Sequence, residues 1–343
     1  MTEQLEDFKI SNDAVDDPVE LRRRLDQDGY LFIKGLQDPS RLRALRLDML
    51  EVCRAAGWIA AGTELADGIV DLAARCAEGD IEYIRVYHQA YRLESFHRAG
   101  HGPEVLDLME KIIGTTVLPP PQKIARLWFP QYAEHTTPVH QDFVHFQGSY
   151  DTYTCWTPLS DCPVELGGLA LLPGSHKIDA VHDHHFSLGA GSLAIDTDAL
   201  ASDWVTSDYE LGDSLIFHSL TVHRALPNLT EDRLRVSLDN RYQSIEPPIA
   251  GHMLSPHLSQ VAELTWEEIY RDWQCGELQY YWRDLNLRVL PKDESWSQTG
   301  FAEALDRARL GDAAARYYLR RIVKRAPDSA QARAAEEALQ TAS

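Results

Sequence analysis

The sequence predicts a mainly β fold with flanking helices, its strands forming a double-sheet jelly roll. Three observations support this. Residues 123–129, 153–159, 169–172, 214–218 and 234–242 are short runs of alternating or apolar β-formers. Gly, Pro, Asp and Asn punctuate the gaps between them. Helical spacing of apolar residues is found before and after this region. Short strands in series with such turns bury their faces by pairing into a sandwich or barrel.

Taken in order, a polar arm leads to Asp17-Pro18, which opens an amphipathic helix carrying Val19, Leu21 and Leu25. Asp28-Gly29 ends it, and Tyr30-Leu31-Phe32-Ile33 reads as a buried strand. Pro39-Ser40 starts a longer helix in which Leu42, Leu45, Met49 and Val52 recur at helical spacing. Residues 78–114 read as mostly helical, up to the break at Pro119-Pro120-Pro121. The N-terminal helices are expected to pack on one sheet of the jelly roll. Within the strand region, residues 182–208 are polar and turn-rich, long enough for a loop that covers a site. Beyond Pro247-Pro248 the chain reads as helical again. Residues 1–250 are therefore expected to form the jelly-roll domain and residues 251–343 a mostly helical extension. Its last part, 311–339, is two helices split at Ala326-Pro327-Asp328 and resembles one tetratricopeptide-type unit. One such unit cannot bury its own apolar face. Docking on the barrel or on a second subunit is expected, which leaves a homodimer through these helices open.

Composition limits the function classes. The 343 residues are 44% hydrophobic and 25% charged, ordinary for a globular chain with a core. Against 33 basic residues stand 53 acidic ones, a formal charge of −20. Such a charge repels nucleic acid and anionic membranes. No stretch approaches the ~20 apolar residues that span a bilayer. The acidic start of the chain lacks the basic-then-apolar pattern of a signal peptide. Five scattered cysteines contain no Cys-x-x-Cys pair, which disfavours a disulfide framework or a thiolate zinc site. A cytoplasmic protein with a small-molecule partner is the expectation.

The chemistry is concentrated in a few motifs. In Pro138-Val139-His140-Gln141-Asp142-Phe143, residues i and i+2 of an extended chain point the same way, so His140 and Asp142 can reach one ion. An imidazole and a carboxylate are two-thirds of a 2-His-1-carboxylate set, which leaves iron positions open for other ligands. Alone, a His-x-Asp is weak among 14 histidines. The third ligand should come from a distant strand, and residues 212–223 offer His218 and His223. His218 ends a strand pattern and His223 starts the following turn, from where it can reach back, so His223 is preferred. Next, Arg233-Leu234-Arg235-Val236-Ser237 places Arg235 and Ser237 on one strand face. A guanidinium beside a hydroxyl suits a buried carboxylate, because its fork binds in bidentate fashion. Arg233 reads as an exposed strand end.

Order and spacing of these motifs, over roughly residues 16–245, resemble the phytanoyl-CoA dioxygenase family. The residues concerned are the Gly29-Tyr30 strand entry, His140-Gln141-Asp142, Trp156-Thr157-Pro158-Leu159-Ser160-Asp161 and Gly167-Gly168-Leu169. Further along come Leu172-Pro173-Gly174-Ser175-His176, Gly212-Asp213-Ser214, His223, Asn228 and Arg235-Val236-Ser237. The resemblance implies a double-stranded β-helix with Fe(II) on His140, Asp142 and His223. It also implies 2-oxoglutarate chelating that iron with its far carboxylate on Arg235, and O2 as co-reactant. Trp156 would line the co-substrate pocket, and Gln141 is a further candidate there. Two departures stand out. The gap from His223 to Arg235 is one residue longer than in many members, which keeps Arg233 open as the anchor. Arg224-Ala225 stands where relatives often have Gly-Ser.

The function implied is a dioxygenase that hydroxylates, desaturates or cyclises a small organic metabolite, with succinate and CO2 as co-products. The rivals are another metal-dependent jelly-roll enzyme, an isomerase or hydrolase, and a non-catalytic 2-oxoglutarate-binding protein. Among other polar features, His182, His184 and His185 read as a solvated loop. His135 and His145 flank the site. Tyr83, Tyr87, Phe143 and Phe146 can be read as pocket or as core.

Overall fold

The computed structural model describes residues 5–178, 180–197, 200, 203–259 and 263–340. Ten helices and twelve strands are named among them. Helix α1 (Pro18–Asp28) begins as the sequence suggests. The Asp17 carboxylate accepts from the backbone N–H groups of Val19 and Glu20, and Pro18 occupies the first turn. Gly29 ends the helix at φ 78°, a left-handed conformation that costs glycine nothing. Strand β1 (Tyr30–Ile33) follows at once, fully buried. Helix α2 (Pro39–Ala55) repeats the design, with Asp38 accepting from Ser40 N–H. Residues 81–113 form α3 (Ile81–Tyr91), α4 (Glu94–Ala99) and α5 (Pro103–Ile113).

Strands β2 (Val117–Leu118), β3 (Ile124–Trp128), β4 (Thr152–Pro158), β8 (Ser214–His218) and β10 (Arg235–Ser244) join β1 in the main antiparallel sheet. Its order is β1-β8-β4-β10, and β2 and β3 both pair with the far side of β10. Facing it is a smaller sheet of β5 (Leu169–Leu171) and β9 (His223–Ala225), extended by a bridge between His140 and His223. Trp128, Trp156, Leu215 and Phe217 from the main sheet and Leu169, Leu171 and Ala225 from the smaller one share one buried cluster. The double-sheet jelly roll read from the sequence is what forms.

The period-2 alternation of strands divides the main sheet sharply. Leu127, Val236 and Leu238 face outward and pack under Met49, Tyr83 and Tyr87 of α2 and α3. Cys155 and Ile216 pack against Leu108 and Met109 of α5. The opposite face carries Arg126, Thr154, Trp156, Arg235, Ser237, Asp239 and Arg241. Register places Arg235 opposite Trp128 and Ser237 opposite Arg126 on β3, and Asp239 opposite Trp156 and Arg241 opposite Thr154 on β4. The outer face is thus anchored by helices, while the inner one sets a row of polar residues beside its apolar cluster.

The stretch 182–208 is not wholly loop. It contains β6 (His185–Phe186) paired with β7 (Leu193–Ala194), and residues 198, 199, 201 and 202 of it lie outside the described residues. After β11 (Ile249–Ala250), the chain runs through a short helix α7 (Trp266–Tyr270) and irregular turns to β12 (Val289–Leu290). This part places Ile269, Tyr270 and Trp282 in the core cluster under α2 and α3. Helices α8 (Ser295–Arg309), α9 (Ala313–Arg325) and α10 (Ala330–Gln340) follow. They bury Ala304, Ala308, Leu319, Ile322 and Ala335 together with Phe186 of β6, so this unit covers its apolar face against the jelly roll. Among the described residues no helix is long and apolar enough to cross a membrane.

Candidate metal centre

His140, Asp142 and His223 are buried, and one potential ligand atom from each lies within 4.8 Å of the others. Asp142 Oδ1 is 3.4 Å from His140 Nε2 and 3.6 Å from His223 Nε2. Two features of the backbone bring them together. The antiparallel bridge exchanges hydrogen bonds between His140 and His223, N–H to O distances being 2.9 and 3.1 Å, so the two side chains emerge side by side. Asp142 then sits at the N-terminal boundary of α6 (Phe143–Phe146), with φ −61° and ψ −28°. This corrects the extended-strand argument. The strand conformation stops at His140, and the carboxylate reaches the site from the first turn of a short helix. His223 is likewise the first residue of β9 rather than part of a turn.

The donor chemistry suits a divalent metal. His140 Nδ1 is 2.8 Å from Pro138 O and His223 Nδ1 is 2.9 Å from Thr221 O. Each Nδ1–H donates to a carbonyl, which fixes the tautomer and leaves the Nε2 lone pair free. Burial, with the neighbouring His140, lowers the His223 pKa to about 4, so its ring is neutral near neutrality. Burial would raise the Asp142 pKa, but Arg241, His223 and His140 outweigh it and hold the carboxyl well below its usual range. Its second oxygen accepts from Thr154 Oγ1 and lies 3.6 Å from Arg241 Nη2. Two imidazole Nε2 atoms and one carboxylate converge and could hold one cation. Among the described residues no other His, Cys, Asp and Glu group has this convergence.

A small cavity of about 30 Å³ opens from the triad between the sheets, lined by Trp128, Trp156, Thr154, Leu169, Phe217 and Arg235 among others. Arg235 is 1% exposed, yet no carboxylate lies within ion-pair distance of it among the described residues. Its Nη1 donates to Gly167 O, its guanidinium carbon sits 4.0 Å from the centre of the Trp128 ring, and its Nε has no partner. Burial pulls its pKa down to about 10, which still leaves it charged. The Ser237 hydroxyl beside it is fully buried and also unpartnered. Buried cations almost always have a counter-charge in contact, so an anion at this end of the cavity could supply the missing one. Arg233 is exposed.

Other sequence candidates are placed differently. The Gln141 amide is used up by backbone. It donates to Leu220 O at 2.9 Å and Ala180 O at 3.2 Å, and accepts from His182 N–H at 2.8 Å. It ties the 180–182 segment to the turn before β9. His218 lies away from the triad, 3.6 Å from Asp151. Tyr83 and Tyr87 are core, stacked with ring centres 5.8 Å apart. His145 and Phe146 line a second, larger cavity that also opens on His140 and Asp142, whereas His135 packs between Tyr132 and Tyr317. Sequence reasoning missed Thr154 and Arg241. For Arg241 the signal was available, because Arg235-x-Ser237-x-Asp239-x-Arg241 is a run of polar residues at strand period in a segment that reads as a strand.

Residues 25–236 match the family described as phytanoyl-CoA dioxygenase (PhyH). The chain belongs to the phytanoyl-CoA dioxygenase family. This family member is 27% identical over 269 residues to the 1-deoxypentalenic acid 11-beta-hydroxylase of Streptomyces exfoliatus, spanning 75% of this chain and 92% of that one. It is 28% identical over 268 residues to the hydroxylase of the same name from Streptomyces arenae, with the same coverage. Among solved structures, the alpha-ketoglutarate-dependent carbocyclase SnoK from nogalamycin biosynthesis is similar at 22% identity and a TM-score of 0.48, over 70% of this chain and 87% of that one. The epimerase SnoN, solved with Fe3+, alpha-ketoglutarate and nogalamycin RO, is similar at 22% identity and a TM-score of 0.48, over 68% and 85%. As a member of this family the chain is a non-haem iron, 2-oxoglutarate-dependent dioxygenase.

Proposed function

We propose that this dioxygenase hydroxylates a small organic metabolite, releasing succinate and CO2, with iron on His140, Asp142 and His223 and with 2-oxoglutarate held by Arg235. The observation that carries this reading is a buried guanidinium, with no carboxylate in ion-pair contact among the described residues, across a small cavity from a His-Asp-His set. When bound, iron and 2-oxoglutarate would supply the O2 activation needed to break an unactivated C–H bond. The rest is positioning by this chain. The two Nδ1–H donations hold the imidazoles in the ligating tautomer. Thr154 and Arg241 hold Asp142 Oδ2, leaving Oδ1 on the histidine side. Arg235, with Ser237 beside it, would take the far carboxylate of the co-substrate, and the rings of Trp128 and Trp156 would exclude water from that pair. In low dielectric an Arg–carboxylate pair is worth more than at a surface.

The two hydroxylase relatives support hydroxylation over desaturation or ring closure, and make 1-deoxypentalenic acid the first substrate to try. The test is anaerobic titration with Fe(II) and 2-oxoglutarate, followed by a metabolite screen for substrate-dependent succinate. The weak visible charge-transfer band of the iron–2-oxoglutarate chelate is expected. Tight zinc uptake with no such band in iron would overturn the reading in favour of a metal-dependent isomerase or hydrolase. A band without succinate from any metabolite would favour a binding protein.

A further inference from the structure

The family match ends at residue 236, yet the larger cavity is walled by chain well beyond it. This cavity, about 570 Å³, opens on His140 and Asp142, and its far side is formed by Trp296 and Phe301 of α8 and by Tyr318, Ile322 and Arg325 of α9. Its size falls in the range of roughly 300–1,000 Å³ typical of sites for small organic ligands.

The wall is fixed to the jelly roll at three separate places. Ahead of α8, Gln147 Nε2 donates to Asp293 O at 2.9 Å and its Oε1 accepts from Asp293 N–H at 2.7 Å. Midway along α8, Glu303 accepts from Phe186 N–H at 2.7 Å and Arg307 donates to Phe186 O at 3.1 Å. There α8 lies so close to β7 that a Cβ on Gly300 would stand 2.8 Å from Leu193 Cδ2. On α9, Arg321 is 3.2 Å from Asp80 and Lys324 pairs with Glu82, both at the start of α3. A wall held at three points keeps its distance from the triad.

Charge singles out one residue in this wall. Of the cations lining the cavity, Arg126 is paired with Glu78 and Asp239, Arg241 with Asp142 and Asp239, and Lys292 with Glu294. Arg325 has no carboxylate within ion-pair distance among the described residues, although it is partly buried and lines the same cavity as Trp296, Phe301, Tyr318 and Ile322. Burial and the neighbouring Arg321 press its pKa down, the condition that a bound anion would relieve.

We propose that the C-terminal helices select the substrate, an apolar molecule bearing one carboxylate, with its frame against Trp296, Phe301, Tyr318 and Ile322 and its carboxylate on Arg325. This rests on the proposed function for placing the reacting carbon at the triad. A planar guanidinium matches a carboxylate in bidentate geometry, and the other cations of the lining, Arg126, Arg241 and Lys292, already have carboxylate partners.

The test uses the full-length protein loaded with Fe(II) and 2-oxoglutarate without oxygen. Decanoic, adamantane carboxylic and abietic acids are each compared with their primary amides, by calorimetry and by tryptophan fluorescence, for which Trp296 is a reporter. At least one acid should bind about tenfold or more tightly than its amide, a charge-assisted pair being worth that much. Arg325→Gln should erase the preference by weakening the acid and leaving the amide unchanged, and Arg325→Lys should restore part of it. Equal binding of acid and amide, no binding of any acid, or a preference that survives Arg325→Gln would each overturn the proposal. The charge-transfer band separates the two readings. With the band present and the preference absent, only the inference on Arg325 falls. Absence of the band in the wild type removes the iron and 2-oxoglutarate assignment itself.

Discussion

Replacing Arg235 by Ala tests the co-substrate anchor most directly. The side chain is 1% exposed and its guanidinium stacks on Trp128, with no carboxylate within ion-pair distance among the described residues. A carboxylate bound there in the wild type would be left buried and unpaired in the variant, a loss of ~2–5 kcal/mol. At ~1.4 kcal/mol per factor of ten, the dissociation constant for 2-oxoglutarate should rise by about 1.5 to 3.5 orders of magnitude. The same change appears in thermal or urea unfolding of the iron-loaded, oxygen-free protein. At a 2-oxoglutarate concentration about 100 times the wild-type constant, binding adds ~2.7 kcal/mol of stability. With the constant raised about a hundredfold, the same concentration adds only ~0.4 kcal/mol. Arg235→Lys keeps the charge but not the fork and should fall between them. Arg233→Ala, at an exposed site, should behave as wild type. If Arg235→Ala is stabilised by 2-oxoglutarate as much as the wild type, or Arg233→Ala is the variant that loses the effect, the anchor is wrongly assigned.

Three further outcomes are expected. His223→Ala should lose iron on gel filtration, while His218→Ala, whose ring faces Asp151, should retain it; the reverse would mean the wrong histidine was chosen. Thr154→Val removes the hydroxyl that donates to Asp142 Oδ2 and should weaken iron binding by about 10–100-fold in a chelator competition, as such supporting partners typically do; unchanged affinity would make that contact incidental. Lys123 is fully buried with an unpartnered Nζ, and burial, aided by Arg241, lowers its pKa from 10.5 to about 7. Between those values the unfolded chain holds a proton that the folded chain has released, so this lysine's burden on stability eases as pH rises, by up to ~1.4 kcal/mol per unit. In urea unfolding, the advantage of Lys123→Met over wild type should therefore shrink between about pH 7 and pH 9, and an advantage that grows with pH would contradict the assignment.

Much of the architecture was legible because its causes are local. The caps at Asp17 and Asp38, the left-handed Gly29 and the break at Ala326-Pro327-Asp328 act over a few residues, and the helix boundaries follow them. The strand segments were visible for the same reason, since period-2 alternation is a property of neighbouring residues. The preference for Arg235 over Arg233 also came from alternation, because Arg235 shares its face with Ser237. The Gln141 candidate shows the limit. Its position beside His140 and Asp142 suggested a pocket role, but its amide is committed to backbone at residues 180, 182 and 220, partners no local pattern reveals.

What the sequence by itself determined was therefore the elements, the family motifs and which residue types could hold a cation and an anion. Tertiary structure decided what depends on contacts between distant segments. The bridge between His140 and His223, 83 positions apart, sets the ligand atoms side by side, and the early turn into α6 rather than strand geometry delivers Asp142. The register of β10 against β3 and β4 turns four polar residues of one strand inward and surrounds Arg235 with Trp128 and Trp156. The docking of α8 and α9 closes the larger cavity with residues the family motifs do not include. Burial and electrostatic environment are sums over such contacts, so whether a guanidinium is paired with a carboxylate is decided only when the chain has folded.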